Sequence, residues 1–311
     1  MASRLLFLPL LASACLTSAC GLDLGDGDQF QSDFHESRPF HAGDRLSVET
    51  FNGGIDIMTW DRNTVEITGT RHASTEEMLK DIKLDIQSSG SSLAVRAIRP
   101  SMSHGSMGVR MLLHVPRQVE LERIVTSNGA IHINGVQGGA HVKTSNGTIH
   151  VDSLSGNLDA QTSNGAIDVD HVGGGAVMRT SNGRIEGDAV GGPVEATTSN
   201  GGIHLQLGPN GSAGPMHFST SNGSIDLTMP GALKSELRAR SSNGAITLRL
   251  APAVNAHVHA ATSNSSVTTD FTMTGQVTMA KHSIEGNLGS GGPTIDLTNS
   301  NGAIRILRVG E

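Results

Sequence analysis

Apolar and polar residues alternate along most of the chain, and turn sequences interrupt the alternation at short intervals. The stretch LSVETFNGGIDIMTW, at residues 46–60, alternates on both sides of Asn52-Gly53, a dipeptide typical of tight turns. Similar stretches follow between residues 64 and 116. Because successive side chains of a strand point to opposite faces, this pattern predicts β-strands with one buried face. A capping box, STEE at residues 74–77, predicts one short helix that ends near Lys80.

A second pattern is superimposed on the first from residue 126 onward. The letters Thr-Ser-Asn-Gly or a close variant begin at Thr126, Thr144, Thr162, Thr180, Thr198, Thr220, Ser241, Thr262 and Asn299. The spacing is 18 residues between the first five and then 22, 21 and 21 residues. The last interval is 37 residues long, which predicts one degenerate repeat near residues 281–284. A short, fixed period of this kind is typical of stacked repeat architectures.

Alignment of the repeats separates inward from outward positions. An apolar residue lies three positions after each Asn, at Ile131, Ile149, Ile167, Ile185, Ile203, Ile225, Ile246, Val267 and Ile304. A second apolar residue follows two positions later, with Gly187 as an exception, and a third precedes the Thr by two positions. Each unit is therefore predicted to contain a strand after Asn-Gly, a Gly-rich bend and a second strand.

The repeated letters have structural explanations in a β-solenoid. Equivalent residues of successive coils stack at about 4.8 Å, close enough for identical Asn side chains to hydrogen bond in a ladder. The predicted ladder comprises Asn128, Asn146, Asn164, Asn182, Asn200, Asn222 and Asn243. Asn and Gly also tolerate left-handed backbone, which a tight corner would need. We predict an all-β β-solenoid with coils of 18 to 21 residues, and the alternative is an antiparallel β-meander built on Asn-Gly hairpins.

The N-terminus predicts export. Arg4 precedes the apolar stretch Leu5–Leu11, and small residues lead to Cys20, as in a secretory signal. Cys20 after Ser18-Ala19 resembles a lipobox, in which cleavage precedes a Cys that then carries lipid. Alternatives are cleavage before Cys15, or simple secretion after a cut near Ala19. The chain has only these two Cys residues, so processing before Cys20 would leave no thiol in the folded part.

Composition limits the classes of function. The 311 residues include 39 Gly, seven Phe, one Trp and no Tyr, so the core must be built from small aliphatic side chains. The net charge is −7 and the sequence contains no basic stripe, which argues against a nucleic-acid partner.

The layout resembles the bacterial putative-adhesin family of β-strand-repeat proteins, a domain family of unknown function. The resemblance rests on NGGIDIMTWDRNTVEITG, the helix from Ser74, LLHVPRQVELERIVTSNGAIHINGVQGG and the serial TSNG repeats, and it covers residues 46–309. It implies an exported or membrane-attached, solenoid-like protein. The family motif carries no catalytic residues, so the resemblance implies none here.

Candidate chemistry is confined to outward columns. Four positions after the Asn lie His132, His150, Asp168, Glu186, His204 and Asp226, and six positions after it lie Asn134, Asp152, Asp170 and Asp188. Stacked carboxylates repel one another, and a divalent cation would relieve the repulsion, although a solvated polar face explains the same columns. The sequence shows none of the hydrolase, zinc-protease, P-loop or dinucleotide-binding motifs. We therefore predict no catalytic residue, no metal site and no cofactor.

These observations give one overall prediction. Residues 1–19 are a lipoprotein signal peptide, 20–37 a tether, 38–125 an N-terminal β-rich module with the helix, and 126–311 the solenoid. The protein is predicted to be a non-enzymatic scaffold or adhesin-like surface, anchored by lipid on Cys20, with a glycan or envelope protein as partner. Gly21 after the Cys resembles the outer-membrane sorting pattern. The alternatives are a ligand- or cation-binding envelope sensor and a polysaccharide-active β-helix enzyme.

Overall fold

The computed structural model describes residues 30–101, 105–209 and 214–310. Its N-terminal part contains one helix, α1 (Glu76–Asp81), and seven strands. The strands are β1 (Phe30–Pro39), β2 (Arg45–Glu49), β3 (Ile55–Trp60), β4 (Thr64–Ala73), β5 (Lys83–Ser89), β6 (Ser92–Ile98) and β7 (Met107–Pro116).

Fourteen strands follow in the repeat region. They are β8 (Glu120–Val125), β9 (Ile131–Asn134), β10 (Ala140–Lys143), β11 (Ile149–Leu154), β12 (Leu158–Gln161), β13 (Ile167–Val172), β14 (Ala176–Arg179), β15 (Ile185–Val190), β16 (Val194–Thr197), β17 (Ile203–Leu207), β18 (Met216–Thr220), β19 (Ile225–Met229), β20 (Leu237–Ser241) and β21 (Ile246–Leu250). The last six are β22 (Ala256–Thr262), β23 (Val267–Thr269), β24 (Thr274–Ala280), β25 (Ser283–Leu288), β26 (Thr294–Asn299) and β27 (Ile304–Arg308).

The strands form two facing sheets. Sheet A has 13 strands in the order β1-β4-β7-β3-β9-β11-β13-β15-β17-β19-β21-β27-β23. Sheet B has 14 strands in the order β24-β25-β22-β26-β20-β18-β16-β14-β12-β10-β8-β2-β6-β5. Each coil contributes one strand to sheet B, turns at the Thr-Ser-Asn-Gly corner and contributes the next strand to sheet A. The predicted all-β solenoid is confirmed.

Neighbouring coils pair parallel and in register. Ile149 pairs with Ile131 on one side and with Ile167 on the other, and Ala160 pairs with Val142 and Met178. Within the repeats, β9 to β21 therefore contain none of the antiparallel hairpins that a meander requires, and the meander alternative is wrong.

The core lies between the two sheets and follows the predicted columns. Ile131 and its equivalents through Ile246, as well as Ile304, have 0% exposure, and Val267 has 7%. Full burial of one such side chain contributes roughly 1.5–3 kcal/mol relative to leaving it exposed. Many small aliphatic contacts, rather than a few aromatic ones, stabilise this protein.

The N-terminal part continues the same stack. Strands β2 and β3 pair parallel with β8 and β9, so both sheets run without a break past residue 126. The outermost strands β1 and β5 pair antiparallel with their neighbours. Strand β1 (Phe30–Pro39) starts within the range 20–37 that the sequence assigns to a tether. Helix α1 begins after the N-cap Thr75, whose hydroxyl accepts from the Met78 N–H, and buries Leu79.

The distal end, defined here as the end that contains β22 to β25, departs from sequence order. Strands β26 and β27, the last of the chain, lie between β20/β21 and β22/β23. The degenerate repeat expected near residues 281–284 is wrong, because β25 pairs antiparallel with β22 and with β24. The hairpin β24–β25 thus ends sheet B, while the C-terminal coil is enclosed within the stack.

Candidate functional site

The corner Asn side chains form one continuous column of amide hydrogen bonds. At each step the Nδ2 of one Asn donates to the Oδ1 of the Asn in the preceding coil, at 2.6 to 2.8 Å along the stretch expected from the sequence. That stretch is Asn128, Asn146, Asn164, Asn182, Asn200, Asn222 and Asn243.

Three residues missed by the sequence reasoning extend the column. Asn52 accepts from Asn128 at the N-terminal end. At the distal end Asn301 donates to Asn243 at 2.8 Å, and Asn264 donates to Asn301 at 2.7 Å. The column follows the spatial order of the coils, since Asn301 precedes Asn264. The sequence contained a signal for Asn264 and Asn301, because each occupies the Asn position of a variant repeat.

The Thr and Gly of the corner also bind the preceding coil. Thr162 is buried, and its Oγ1 donates to the Gly147 carbonyl at 3.0 Å. The Gly165 N–H donates back to Thr162 Oγ1 at 3.2 Å. A methyl group on Gly165 would lie 1.7 Å from the Gly147 carbonyl oxygen. The repeated letters are therefore engaged in holding coil to coil rather than in presenting groups to a ligand.

Left-handed backbone occurs at the opposite side of the coil from the one expected. Apart from Gly53 in the first coil, the corner Asn-Gly pairs of the described chain have no positive φ. The positive values in the 18-residue repeats belong to Gly135, Ser153, His171, Ala189 and Gly192, at φ of 78°, 59°, 54°, 51° and 67°. Ser153, His171 and Ala189 are the second-last residues of β11, β13 and β15, directly before the bend that leads to the next sheet B strand.

The outward columns of sheet A contain paired side chains. His132 Nδ1 lies 2.7 Å from Asp56 Oδ1, and Asn134 donates to Asp152 at 2.9 Å. His204 lies 3.6 Å from Asp226. In the described residues, no three His, Cys, Asp or Glu side chains are grouped as a metal ion would require.

Asp168 has the unusual environment in these columns. Burial raises the pKa of its carboxyl, and the neighbouring Glu186 and Asp170 raise it further, whereas Arg184 and His150 oppose the rise. Its Oδ1 is buried without a hydrogen bond, and Arg184 Nη2 lies 3.7 Å away. Arg184 also pairs with Glu186 at 2.9 Å. The single guanidinium of Arg184 therefore faces more than one carboxylate.

Sheet B carries a feature that the sequence reasoning missed, a groove of about 1000 Å³. It crosses β8, β10, β12, β14, β16 and β18 along the solenoid axis. Bend residues in its lining include Gly139, Gly156, Gly175, Pro193 and Pro215. Outward residues of the strands include Glu120, His141, Asp159, Val177, Glu195 and His217. We call this surface the sheet B groove.

Short bends border the groove. The bends that join β11 to β12, β13 to β14 and β15 to β16 have three residues each, and Gly156, Gly175 and Pro193 in these bends line the groove. The Gly-rich bends are visible in the sequence, but their spacing does not indicate a groove.

The charged side chains of the groove are mostly carboxylates. Its lining contains Glu120, Glu122, Asp159 and Glu195, and Arg45 as the only Lys or Arg. Glu122 lies 3.8 Å from Arg45, and Asp159 lies 3.1 Å from His141. Glu195 pairs with Arg179, outside the lining, at 2.8 Å. The Glu120 carboxylate accepts the Gly139 N–H at 2.8 Å. The arrangement offers acceptors and negative charge above an apolar surface.

The predicted lipid-attachment residue Cys20 and the whole signal segment lie outside the described residues. Within the described ranges, no helix is both long enough and apolar enough to span a membrane.

Comparisons with known proteins address the family. The comparison with solved structures finds, among others, two matches at 11% identity. One is a putative cell adhesion protein from Clostridium sporogenes, with a TM-score of 0.26 over 89% of this chain and 100% of that one. The other is a putative adhesin from Bacteroides fragilis, with a TM-score of 0.39 over 89% and 97%. At these TM-scores the two likenesses carry no weight for function.

A search of curated proteins finds no significant match. A family model described as Toastrack DUF4097, a domain of unknown function, matches residues 43–252. That range is more than half of the chain and contains the first coils, the Asn column from Asn52 to Asn243 and the sheet B groove. The chain belongs to the Toastrack DUF4097 family.

Proposed function

We propose that this protein is a non-enzymatic, lipid-anchored envelope protein whose solenoid is a rigid scaffold with an adhesin-like surface. The observation that carries the proposal is the uninterrupted Asn column, which joins the coil of Asn52 to that of Asn264 at the distal end. Sheet B has 14 strands, so the stack is about 60 Å long at about 4.8 Å per strand. A rod that is hydrogen bonded along its whole length suits the presentation of a surface at a distance from a membrane.

The position of the N-terminal strand supports attachment by one end. Strand β1 is the outermost strand of sheet A, on the end opposite to β22–β25. A lipid on Cys20 would precede Phe30 by ten residues, a reach of at most about 35 Å. The rod would then be held by its N-terminal end, with the distal end directed away from the bilayer. Gly21, which follows the Cys, favours the outer membrane as the site of attachment.

The same geometry gives little support to an enzyme. In the sheet A columns and in the groove, several described carboxylates and imidazoles are paired with one another or with a guanidinium. The groove lining contains no Phe, Tyr or Trp that could hold a sugar ring for cleavage. A second candidate function, binding of a ligand by an envelope sensor, is supported by the groove itself.

Metabolic labelling with a fatty-acid analogue tests the anchor. We expect the wild-type chain and the Cys15→Ser variant to incorporate the label and to remain with membranes. The Cys20→Ser variant should lose both properties. Equal labelling of Cys20→Ser and wild type would contradict the proposed attachment site.

A cell-attachment assay tests the adhesin-like role. Cells that display the wild-type protein should adhere to a coated surface more strongly than cells that release the Cys20→Ser variant. A panel of polysaccharides should show no release of reducing ends by the purified chain. Such release would instead support the polysaccharide-active enzyme.

A further inference from the structure

We infer that the sheet B groove binds an extended polypeptide segment that carries Lys or Arg side chains. This inference deepens the proposed adhesin-like function by naming the ligand class of its surface. It does not depend on the lipid anchor, because the groove is formed by the folded coils alone.

The length of the groove fits an extended segment. It crosses six neighbouring strands of sheet B, which gives a length of about 24 Å at about 4.8 Å per strand. An extended polypeptide advances about 3.4 Å per residue, so about seven residues would fill it. The volume of about 1000 Å³ lies at the upper end of the range for binding pockets.

The lining allows a backbone to approach closely. Gly139, Gly156 and Gly175 carry no side chain where each coil enters the groove. Val177 is the apolar member of the column that also contains Asp159 and Glu195. A methyl group on Gly156 would lie 2.4 Å from the Gly138 carbonyl oxygen, and one on Gly175 would lie 3.2 Å from Pro193, so packing between coils requires these glycines and keeps side chains out of the bends. A segment lying along the axis could therefore contact the bends and direct alternate side chains to the strand residues.

The charge of the lining selects the side chains of that segment. The lining contains four carboxylates and one guanidinium. The Glu120 carboxylate accepts a hydrogen bond from the Gly139 N–H, and the Asp159 carboxylate is bonded to His141 and Gln161. Neither carboxylate has Lys or Arg among these partners. Lys or Arg side chains of a ligand would complement them, whereas an acidic segment would be repelled. The same sign of charge disfavours nucleic acid.

The absence of aromatic side chains from the lining favours a polypeptide over a glycan as the ligand. Sugar rings are commonly held by stacking on Trp or Tyr, and the single Trp60 stacks on His114 in sheet A. The contacts that the groove can supply are carboxylates, imidazoles and apolar surface. These contacts suit a cationic peptide better than an uncharged oligosaccharide.

Fluorescence anisotropy with defined probes tests the inference. The full chain is titrated with a labelled peptide of about eight alternating Ala and Lys residues, at roughly physiological ionic strength. The matched probes are the same peptide with Glu in place of Lys and a β-1,4-linked N-acetylglucosamine oligomer. We expect the Lys peptide to bind at least about tenfold more tightly than either. Tighter binding of the oligosaccharide, or no binding of the Lys peptide, would overturn the inference.

Paired substitutions locate the binding. Val177→Lys and Val177→Glu introduce opposite charges at one half-buried position in the middle of the groove. Val177→Lys should weaken binding of the Lys peptide roughly threefold to fivefold, and Val177→Glu should strengthen it by a similar factor. Gln206→Lys and Gln206→Glu make the same changes on an exposed position of sheet A and should have little effect. Equal effects at both positions would show general attraction to an acidic protein and refute the groove as the site.

The two proposals fail separately. Loss of fatty-acid labelling concerns Cys20 and leaves peptide binding in solution unaffected. Failure of the peptide titration concerns the groove and leaves the anchored rod intact.

Discussion

The corner Gly is required by contact between coils. Because a methyl group on Gly165 would lie 1.7 Å from the Gly147 carbonyl oxygen, the two coils must separate to admit it. We expect Gly165→Ala to destabilise the protein by about 1–3 kcal/mol, as overpacking does. Ser163→Ala, at an exposed position of the same corner, should change stability by less than about 0.5 kcal/mol. Urea unfolding of both variants checks the difference, and similar midpoints would contradict the contact argument.

The environment of Asp168 predicts a pH-dependent effect at the same scale. Burial raises the pKa of Asp168 above its ordinary value of 3.8, so the folded protein holds this proton more tightly than the unfolded chain. Stability from this group is therefore lost as the pH rises from about 4 through the folded pKa. Asp168→Asn removes that loss and should stabilise the protein at pH 7 while changing little at pH 3. Thermal melting at the two pH values measures this, and a destabilised variant at pH 7 would show that the pairing with Arg184 dominates.

The structural importance of the corner residues was predicted, but the interactions that require each residue were predicted only in part. Asn was expected to hydrogen bond along the stack, and Gly was expected to allow left-handed backbone at the corner. Gly165 instead avoids a clash at an ordinary φ, and the Thr162 hydroxyl donates to the Gly147 carbonyl. A sequence shows that a position tolerates only a small residue, but not whether backbone angle or a neighbouring coil imposes the limit.

At the scale of one element, the Asn column predicts costs that depend on position. Asn164 takes part in two amide hydrogen bonds, with Asn146 and Asn182, whereas Asn264 at the distal end takes part in one. Each such bond contributes about 0.5–1.5 kcal/mol. Asn164→Ala should therefore destabilise the protein about twice as much as Asn264→Ala. Chemical denaturation compares the two variants, and equal losses would argue that the bonds in the column do not act one by one.

The repeat strands could be predicted because the same apolar spacing recurs from coil to coil. Ile149 and Val151 are spaced for one face of a strand, and the same spacing recurs in the neighbouring coils at Ile131 and Ile167. The groove could not be predicted in this way. It depends on how the bends of neighbouring coils lie beside one another, and Gly139 or Gly175 has the same appearance in the sequence as a glycine of any turn.

At the scale of the whole molecule, the order of the coils could not be predicted from the sequence. The corners of Asn243, Asn264 and Asn301 have nearly the same letters, so each fits beside either of the others. The side-chain pattern of a coil specifies the face that it buries but not its position in the stack. The 270–293 segment contains the hairpin β24–β25, whose strand β25 pairs with one edge of β22, while β26 pairs with the other edge.

This order predicts an unusual response to truncation. In a solenoid with sequential coils, removal of the last coil exposes the one before it and leaves the rest in place. Here, deletion of residues 294–311 removes β26 and β27 and opens a gap between β20/β21 and β22/β23. We expect strand β22 (Ala256–Thr262) to lose its slow amide hydrogen exchange, because its parallel partner is gone, while β11 and β13 keep theirs. Mass spectrometry of exchanged peptides follows both regions in one experiment. If β22 remained as protected as in the full chain, it would have closed onto β20, and the sheet would then be able to accept its coils in more than one order.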